Sequence, residues 1–390
     1  MAKNNAKIAR NNVKIGDSTF SINDILKDNY SGPIREMIDN LTKVKHGFTL
    51  SESMTNTFKG PNIISNTPML KPNTNLPGYV FTVRPDLNFS TANLRIERKM
   101  SPLLTDKANS IMRAIRCILA PQCMMPMHQA GFPNRAGRMP YLECPLVDKN
   151  YPFIAISDNN VKSLTGWPSG QLGIRSTPAG ILKEVHLMAD GPSTYKGEFS
   201  LNMSLNSMKG NPLMYLYYYW ILYIGMVYTQ SYGLMPWPEY LSNGRMDYTT
   251  RIYRLIMDET KTYVTEAAMT GYAIPRSIDI GPYFDYQADN YRPYIERTTE
   301  VEFACSGVEY LDEIIIKQFN RTVEIFQPLM GDKYRAKRLI KVDKKYQKIM
   351  NNKVYPWINP ISRELEWWCT PSNWKASSNL IKLANISAAY

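Results

Sequence analysis

The sequence predicts an α+β (mixed α/β) fold, a sheet with several packed helices and long irregular connecting straps. One signal is a strand: Phe199, Leu201, Met203 and Leu205 alternate with Ser200, Asn202 and Ser204, which places the apolar side chains on one face and the polar ones on the other. A helix signal follows at once. Lys209-Gly210 makes a turn, Asn211 stands at a cap position with Pro212 first in the helix, and an uncharged apolar run covers residues 213–228. That run predicts a helix buried all round. It is shorter than a membrane span requires, and its tyrosine hydroxyls need partners that hydrocarbon lacks. Burial in protein, in part against another subunit, is therefore expected, and membrane insertion is not.

Composition narrows the class further. A chain of 390 residues with 44% hydrophobic side chains has ample material for a core and needs neither metal nor disulfide for stability. Its 26 tyrosines give it the texture of proteins that meet other proteins. Five cysteines without regular spacing, and a start lacking a basic-then-apolar leader, point to a reducing compartment, with the protein made and assembled in a cytoplasm. The net charge of +12 directs partners toward nucleic acid, acidic protein surfaces or anionic lipid without choosing among them.

Taken in order, residues 1–12 are a small, polar, basic arm, and residues 34–44 carry Ile34, Met37, Ile38 and Leu41 at helical spacing. Residues 51–77 show no period and read as a strap over the surface or around a neighbour. A short strand is expected at 79–83, ending in Arg84-Pro85-Asp86, where Pro85 imposes a turn that Arg84 and Asp86 can pair across. Ser101-Pro102 reads as a helix start. Over residues 107–120, Ile111, Met112, Ile115 and Ile118 mark an inward face, with Arg113 and Arg116 elsewhere. Cys117, Cys123, His128 and Cys144 invite a metal reading, but no closely spaced ligand pair accompanies them. Residues 153–156 are expected as a strand, 159–164 as a connection or short helix, and Gly166-Trp167-Pro168 as a rigid turn. His186 lies between apolar neighbours, the setting of a satisfied core or sheet histidine.

Beyond the central helix, residues 234–240 read as an extended Pro-aromatic link and Asn243-Gly244 as a turn. A strand with Tyr253, Leu255 and Met257 against Arg254 follows. Then come a helix over 259–270 stopped by Gly271, a Pro, Gly and Tyr rich connector over 272–294, a strand with Val301, Phe303 and Cys305, and a helix over 307–326 with Leu311, Ile314, Ile315 and Phe319 inward. The expected order is strand and helix in alternation. Residues 333–353 hold nine Lys or Arg and a single acid, Asp343, the composition of a solvated face that also suits phosphate or an acidic partner. The tryptophans of 355–374 must pack on something. Four regions result, 1–50, 51–191, 192–331 and 332–390, cut near Pro192 and Gly331.

Chemistry-bearing motifs are missing. There is no phosphate cradle ending in Gly-Lys-Ser/Thr, no dinucleotide fingerprint, no His-Glu-x-x-His and no calcium loop, and His46, His128 and His186 lack catalytic spacing. No catalytic residue, cofactor or metal is expected. The phrases VRPDLNF (83–89), SLTGWPSG (163–170), GNPLMYLYYYW (210–220) and MDYTTRIYRLIMDETKTYV (246–264) together resemble virion structural proteins of large tailed bacteriophages, the tail, neck and baseplate components. The resemblance covers residues 76–326. It implies a non-enzymatic subunit of the virion tail or neck, forming a ring or collar of the head–tail connector or tail, with the baseplate as alternative. Implied partners are other phage virion proteins, further copies of the chain and, non-specifically, packaged DNA. A basic DNA-binding protein packaged with the genome is the alternative of another class. Structural or interface roles are expected for Arg84, Asp86, Trp167, Tyr217, Trp220, Trp237, Trp357, Trp367 and Trp368. Contact with phosphate or an acidic partner is expected for Lys337, Arg338, Lys341, Lys344 and Lys345.

Overall fold

The structure, a computed structural model, describes residues 12–15, 18–21, 78–124, 142–170, 172–191, 197–229, 233–258, 260–281, 284, 298–347, 350 and 354–377. The expected helix at 34–44, the strap at 51–77, His46, His128 and most of the basic arm lie outside the described residues, as does residue 285 onward of the expected connector. Two compact units form. The larger comprises Tyr79–Leu255, Glu266–Trp357 and Glu366–Tyr390, and the smaller Met1–Gly78, Ile256–Thr265 and Ile358–Leu365.

Strands β1 (Asn12–Ile15) and β2 (Ser18–Ser21) pair as a hairpin, with Val13 opposite Phe20. Next come β3 (Gly78–Thr82) and α1 (Thr91–Leu94), which Ser90 caps by accepting from the Asn93 N–H. Pro102 falls inside a 3-10 segment, Arg98–Leu104, and is not the start of the α-helix. That helix, α2 (Ile111–Leu119), begins where the Ser110 hydroxyl accepts from the Met112 N–H. Its inward face is turned from the expected one: Arg116 is buried with Ile115, Cys117 and Leu119, while Ile111 is 40% exposed. Arg116 goes inward because the Phe89 carbonyl accepts from its Nε at 2.9 Å.

Where a strand was expected at 153–156, only Phe153 bridges to Val83, and the chain turns into α3 (Ala155–Asp158). The next segment is not a helix but β4 (Val161–Thr165), which pairs antiparallel with residues 202–205. β5 (Ile174–Ser176) and β6 (Leu187–Ala189) form a separate hairpin. His186 is exposed on it, because its apolar neighbours Val185 and Leu187 are themselves in solvent.

The predicted strand is β7 (Glu198–Asn206), with Leu201, Met203 and Leu205 buried, and the predicted helix is α4 (Pro212–Thr229). α4 is not closed on every side, since Tyr228 is 79% exposed. Trp237 leads into a short α5 (Pro238–Ser242) inside the link expected to be extended. β8 (Ile252–Met257), β9 (Val264–Ile278), β10 (Thr298–Tyr310) and α6 (Glu313–Phe326) follow. From Val264 onward, the expected helix and the first part of the connector are thus one long strand, held between β8 and β10 in the sheet order. Gly271 does not end it. A Cβ there would lie 2.7 Å from the Ser306 carbonyl oxygen, so glycine is what lets the two strands approach. α6 starts later than expected, at Asp312, whose carboxylate accepts from the Ile314 N–H. Ile315, Phe319 and Val323 face inward, whereas Leu311 and Ile314 are 70% and 50% exposed. Three consecutive strands replace the expected alternation. The chain closes with α7 (Arg335–Arg338), β11 (Ile340–Lys341), α8 (Lys344–Gln347), β12 (Val354–Ile358), β13 (Leu365–Cys369) and α9 (Pro371–Ala376).

The main sheet has six strands in the order β3-β8-β9-β10-β7-β4, and a smaller one has the order β11-β13-β12. One core cluster lies on one face of the main sheet, where Leu201, Met203, Leu205, Val301, Phe303 and Cys305 meet Leu213, Leu216, Tyr217, Trp220 and Tyr223 of α4, and α6 packs on the other face at β8, where Phe319 meets Tyr253 edge-on at 5.4 Å. Helices and antiparallel sheets together make the fold α+β, as expected.

Candidate functional site

Arg84 is 4% exposed, and its guanidinium is occupied by backbone. Nε donates to the Ile118 carbonyl at 3.0 Å, Nη2 to the Cys117 carbonyl, and Nη1 to those of Asp148 and Tyr151 at 3.2 and 3.0 Å. The last carbonyls of a helix have no partner within it, and Pro121, just beyond α2, has no N–H to offer. Here the set is complete. Arg116 O accepts from the Ala120 N–H, Cys117 O and Ile118 O from Arg84, and Leu119 O from the Leu87 N–H at 2.9 Å. A cation at a helix C-terminus is also favoured by the helix dipole. Burial lowers the Arg84 pKa to about 10, which leaves it charged at neutral pH.

Arg84 and Asp86 do not pair across Pro85, because both side chains are engaged elsewhere. The Asp86 carboxylate accepts from Gln122 Nε2 and from the Tyr240 hydroxyl at 2.8 Å, and its Oδ1 meets no donor among the described residues. Burial raises its pKa to about 6, an effect that these two donors offset only in part. Nearby, Asp247 accepts from the Tyr223 hydroxyl, which itself accepts from the Asn88 N–H at 3.2 Å. Burial also raises the Asp247 pKa. This polar hub joins the segment after β3 to α4, α5 and the turn before β8. Gln122, Tyr240 and Asp247 carry no motif that sequence reasoning could use.

The aromatic residues act inside the subunit. Tyr217 stacks on Trp220 at 6.0 Å, meets Phe303 edge-on at 5.8 Å, and shares a 2.7 Å hydrogen bond with Ser157, while Trp220 Nε1 donates to the Tyr248 carbonyl. Trp167 packs on Phe199 and Tyr310, and Gly166 before it has φ +104°. Trp237 Nε1 donates to the Leu87 carbonyl at 3.2 Å. In the C-terminal sheet, the Arg335 guanidinium lies 3.9 Å from the Trp357 ring centre and 5.6 Å from that of Trp368, and it pairs with Asp332 at 2.9 Å. Trp367 meets Tyr79 edge-on at 6.2 Å.

Part of the basic run is thus engaged within the fold. Lys341 Nζ pairs with Glu366 at 3.0 Å, and Glu366 also accepts from Trp368 Nε1. Lys337, Arg338 and Lys344 are exposed, and the side chain of Lys345 lies outside the described residues.

Opposite the α4 cluster, strands β7 and β10 carry short polar and acidic side chains. Asn202 stands opposite Glu302, Ser204 opposite Glu300, and Glu198 opposite Ser306. Ser204 donates to Glu300 at 3.4 Å, and Glu302 accepts from Ser277 and pairs with the exposed Arg276 at 3.5 Å.

None of these clusters has the form of a reaction centre. Burial pushes the thiols of Cys117, Cys123 and Cys305 up to about 12, so they stay protonated and poorly nucleophilic. Among the described residues no three His, Cys, Asp or Glu side chains are placed to hold a metal, and no helix is long and apolar enough to cross a membrane.

In structure the chain is similar to the tube-terminating cap of the anti-feeding prophage, with 12% identity and a TM-score of 0.25 over 46% of this chain and 98% of the cap chain. It is similar also to the sheath/tube terminator of the extracellular contractile injection system PVC in its extended state, with 9% identity and a TM-score of 0.23 over 39% and 85% of the two chains. A chain of the anti-feeding prophage baseplate shows 11% identity and a TM-score of 0.22 over 40% and 80%. No curated protein shows significant sequence similarity. Residues 15–386 match the family described as putative phage tail tube protein, and with almost the whole chain matched, this protein belongs to that family of phage tail structural proteins.

Proposed function

We propose that the chain is a non-enzymatic subunit that assembles with copies of itself into a ring of the phage tail tube, in contact with other virion proteins. The observation that carries this reading is the two-sided main sheet. Along β7 and β10 one face is hydrophobic core and the other carries Ser, Asn and Glu, while at the β8 end that second face is covered by α6. Side by side around an axis, such sheets would make a smooth polar wall. Glu198, Glu300 and Glu302 would keep DNA phosphates from adhering to it. The sheet also has the means to continue laterally, because β4 is its last strand and has no strand partner on its outer edge among the described residues.

Family membership favours the tail tube over the neck collar and the baseplate. In this reading Arg84, Asp86, Trp167, Tyr217, Trp220, Trp237, Trp357, Trp367 and Trp368 hold the subunit rigid. Lys337, Arg338, Lys341, Lys344 and Lys345 would meet acidic neighbours or, non-specifically, DNA. Buried unpaired thiols suit assembly in the host cytoplasm. Negative-stain microscopy of the purified protein tests the reading. Closed rings or stacked tubes are expected, and labelling of the particle should mark the tail; a protein that stays monomeric, or that labels only the head, overturns it.

A further inference from the structure

We infer that residues 233–247 form a strap that is closed over the segment after β3 while Asp86 is protonated and that opens as Asp86 ionises. The device goes beyond the tail-ring reading and does not depend on it.

Between its two ends the strap is fastened mainly by polar bonds. Leu234 and Asp247 are buried, but from Met235 to Met246 no residue is, and α5 inside the strap puts none of its side chains into the core. What holds it is a row of hydrogen bonds to the segment opposite. Asn88 Nδ2 and Asn93 Nδ2 donate to the Met235 carbonyl at 2.8 and 3.1 Å, while Asn93 Oδ1 accepts from the Met235 N–H at 3.2 Å. Trp237 Nε1 donates to the Leu87 carbonyl at 3.2 Å, the Tyr240 hydroxyl to Asp86 Oδ2 at 2.8 Å, and the Asp86 N–H to the Asp247 carbonyl at 3.0 Å. A segment with so little buried apolar surface opens more readily than the core around it.

Asp86 is the member of that row that titrates. Its Oδ1 is out of contact with solvent and meets no donor among the described residues. Gln122 Nε2, which donates to its Oδ2, lies also 3.4 Å from Glu239 Oε2 on α5, so an ionised Asp86 faces a second carboxylate across one amide group. The groups around it are Tyr240 and Glu239 of α5, Gln122 and Cys123 after α2, Tyr223 of α4, and Asp247 before β8, which repels it. Arg84 attracts it, but that guanidinium is spent on the carbonyls at the end of α2. Burial, with the repulsion from Asp247, holds the carboxyl of the closed strap at about 6, whereas water in an open strap returns it to the ordinary 3.8. Closure therefore binds a proton that the open form does not. It is fully favoured below the lower value and weakens as pH rises through the upper one. What the strap controls is presentation: it carries Met235, Leu241 and Met246, each more than half exposed, and opening frees them from fixed positions.

The test is hydrogen exchange of the full-length chain, read by mass spectrometry and corrected for the intrinsic rate at each pH. The strap amides, among them the Tyr240 N–H on the Trp237 carbonyl and the Arg245 N–H on the Tyr240 carbonyl, should be less protected than those of α4, because they open without global unfolding. Their protection should fall about tenfold from pH 5 to pH 8. That fall should largely disappear in Asp86→Asn. Tyr240→Phe keeps the ring and removes the donor to Asp86, so it should lower strap protection at both pH values while α4 stays protected. Strap amides as protected as those of α4, a fall of the same size in Asp86→Asn, or unchanged strap protection in Tyr240→Phe overturns the strap and leaves the tail-ring reading standing.

Discussion

The raised pKa of Asp86 makes the stability of the subunit depend on pH in a direction opposite to that of an ordinary surface carboxylate. Burial moves the group from 3.8 to about 6, so between these values the folded chain binds a proton that the unfolded chain does not. Stability then falls as pH rises through that window, by about 3 kcal/mol over the whole of it. Between pH 5 and pH 7 the expected loss is about 1 kcal/mol. Replacing Asp86 with Asn keeps an oxygen to accept from Tyr240 and Gln122 and removes the charge. It also points an amide N–H₂ toward the place where Oδ1 has no donor, an unsatisfied group that costs about 1–3 kcal/mol. Asp86→Asn should thus be comparable to the wild type at pH 5 and gain on it by about 1 kcal/mol by pH 8. Urea unfolding of both proteins at pH 5, 6, 7 and 8, with constant m-value, reads this group together with its repulsion from Asp247, while Asp158, whose pKa burial also raises, contributes equally to both. A stability difference that does not change with pH would show that Asp86 is not the buried, uncompensated carboxyl described here.

Arg84→Ala should destabilise the subunit by about 3–5 kcal/mol, because the carbonyls at the end of α2 lose their donors where water cannot replace them, and urea unfolding would report it. Tyr223→Phe removes the donor to buried Asp247 and should lower stability by about 1–3 kcal/mol in the same assay. Arg335→Ala should cost about 1–2 kcal/mol and shift tryptophan fluorescence, since the guanidinium leaves the Trp357 face. Changing Lys337, Arg338 and Lys344 to Gln should leave the fold intact and abolish whatever weak, salt-steep affinity for duplex DNA the protein has. Tight sequence-selective binding in a gel-shift assay, lost in that variant, would instead support the genome-packaged DNA-binding alternative.

Legibility in the sequence follows from how local each determinant is. β7 was readable because one of its faces is core and the other solvent, so alternation survives in the letters, and α4 because an uncharged run behind Asn211-Pro212 admits little else. β9 was not. Its Val264, Ala267 and Ala268 fit helical spacing, and only the neighbours β8 and β10, distant in sequence, make the segment a strand. Gly271, read as a stop, instead permits the close approach of β10. Arg84 and Asp86 were legible as important but not as to their partners, since an Arg-Pro-Asp turn suggests a local pair while the acceptors that hold Arg84 lie on α2 and before α3. The hairpin was opaque for another reason: Ile181, Leu182, Leu187 and Met188 are as apolar as any core strand, and nothing local tells a side chain that it will stay in water.

That inversion links the interior to the exterior. A soluble monomer buries its aliphatic side chains and leaves its charges wet, whereas this chain buries Arg84, Arg116 and Asp247, half-buries Asp86, and holds Ile181 and Leu182 in solvent. Buried charges are tolerated because each has fixed partners in the elements around α2 and α4, and such directional contacts make those elements rigid against one another. A rigid body is what an assembly subunit requires, since docking surfaces that are already ordered lose less entropy on association. Stability of the single subunit and affinity between subunits should for that reason respond to different substitutions. Changes at Asp86 or Arg84 should move the unfolding midpoint, and changes at side chains in solvent the assembly concentration, with neither set moving both.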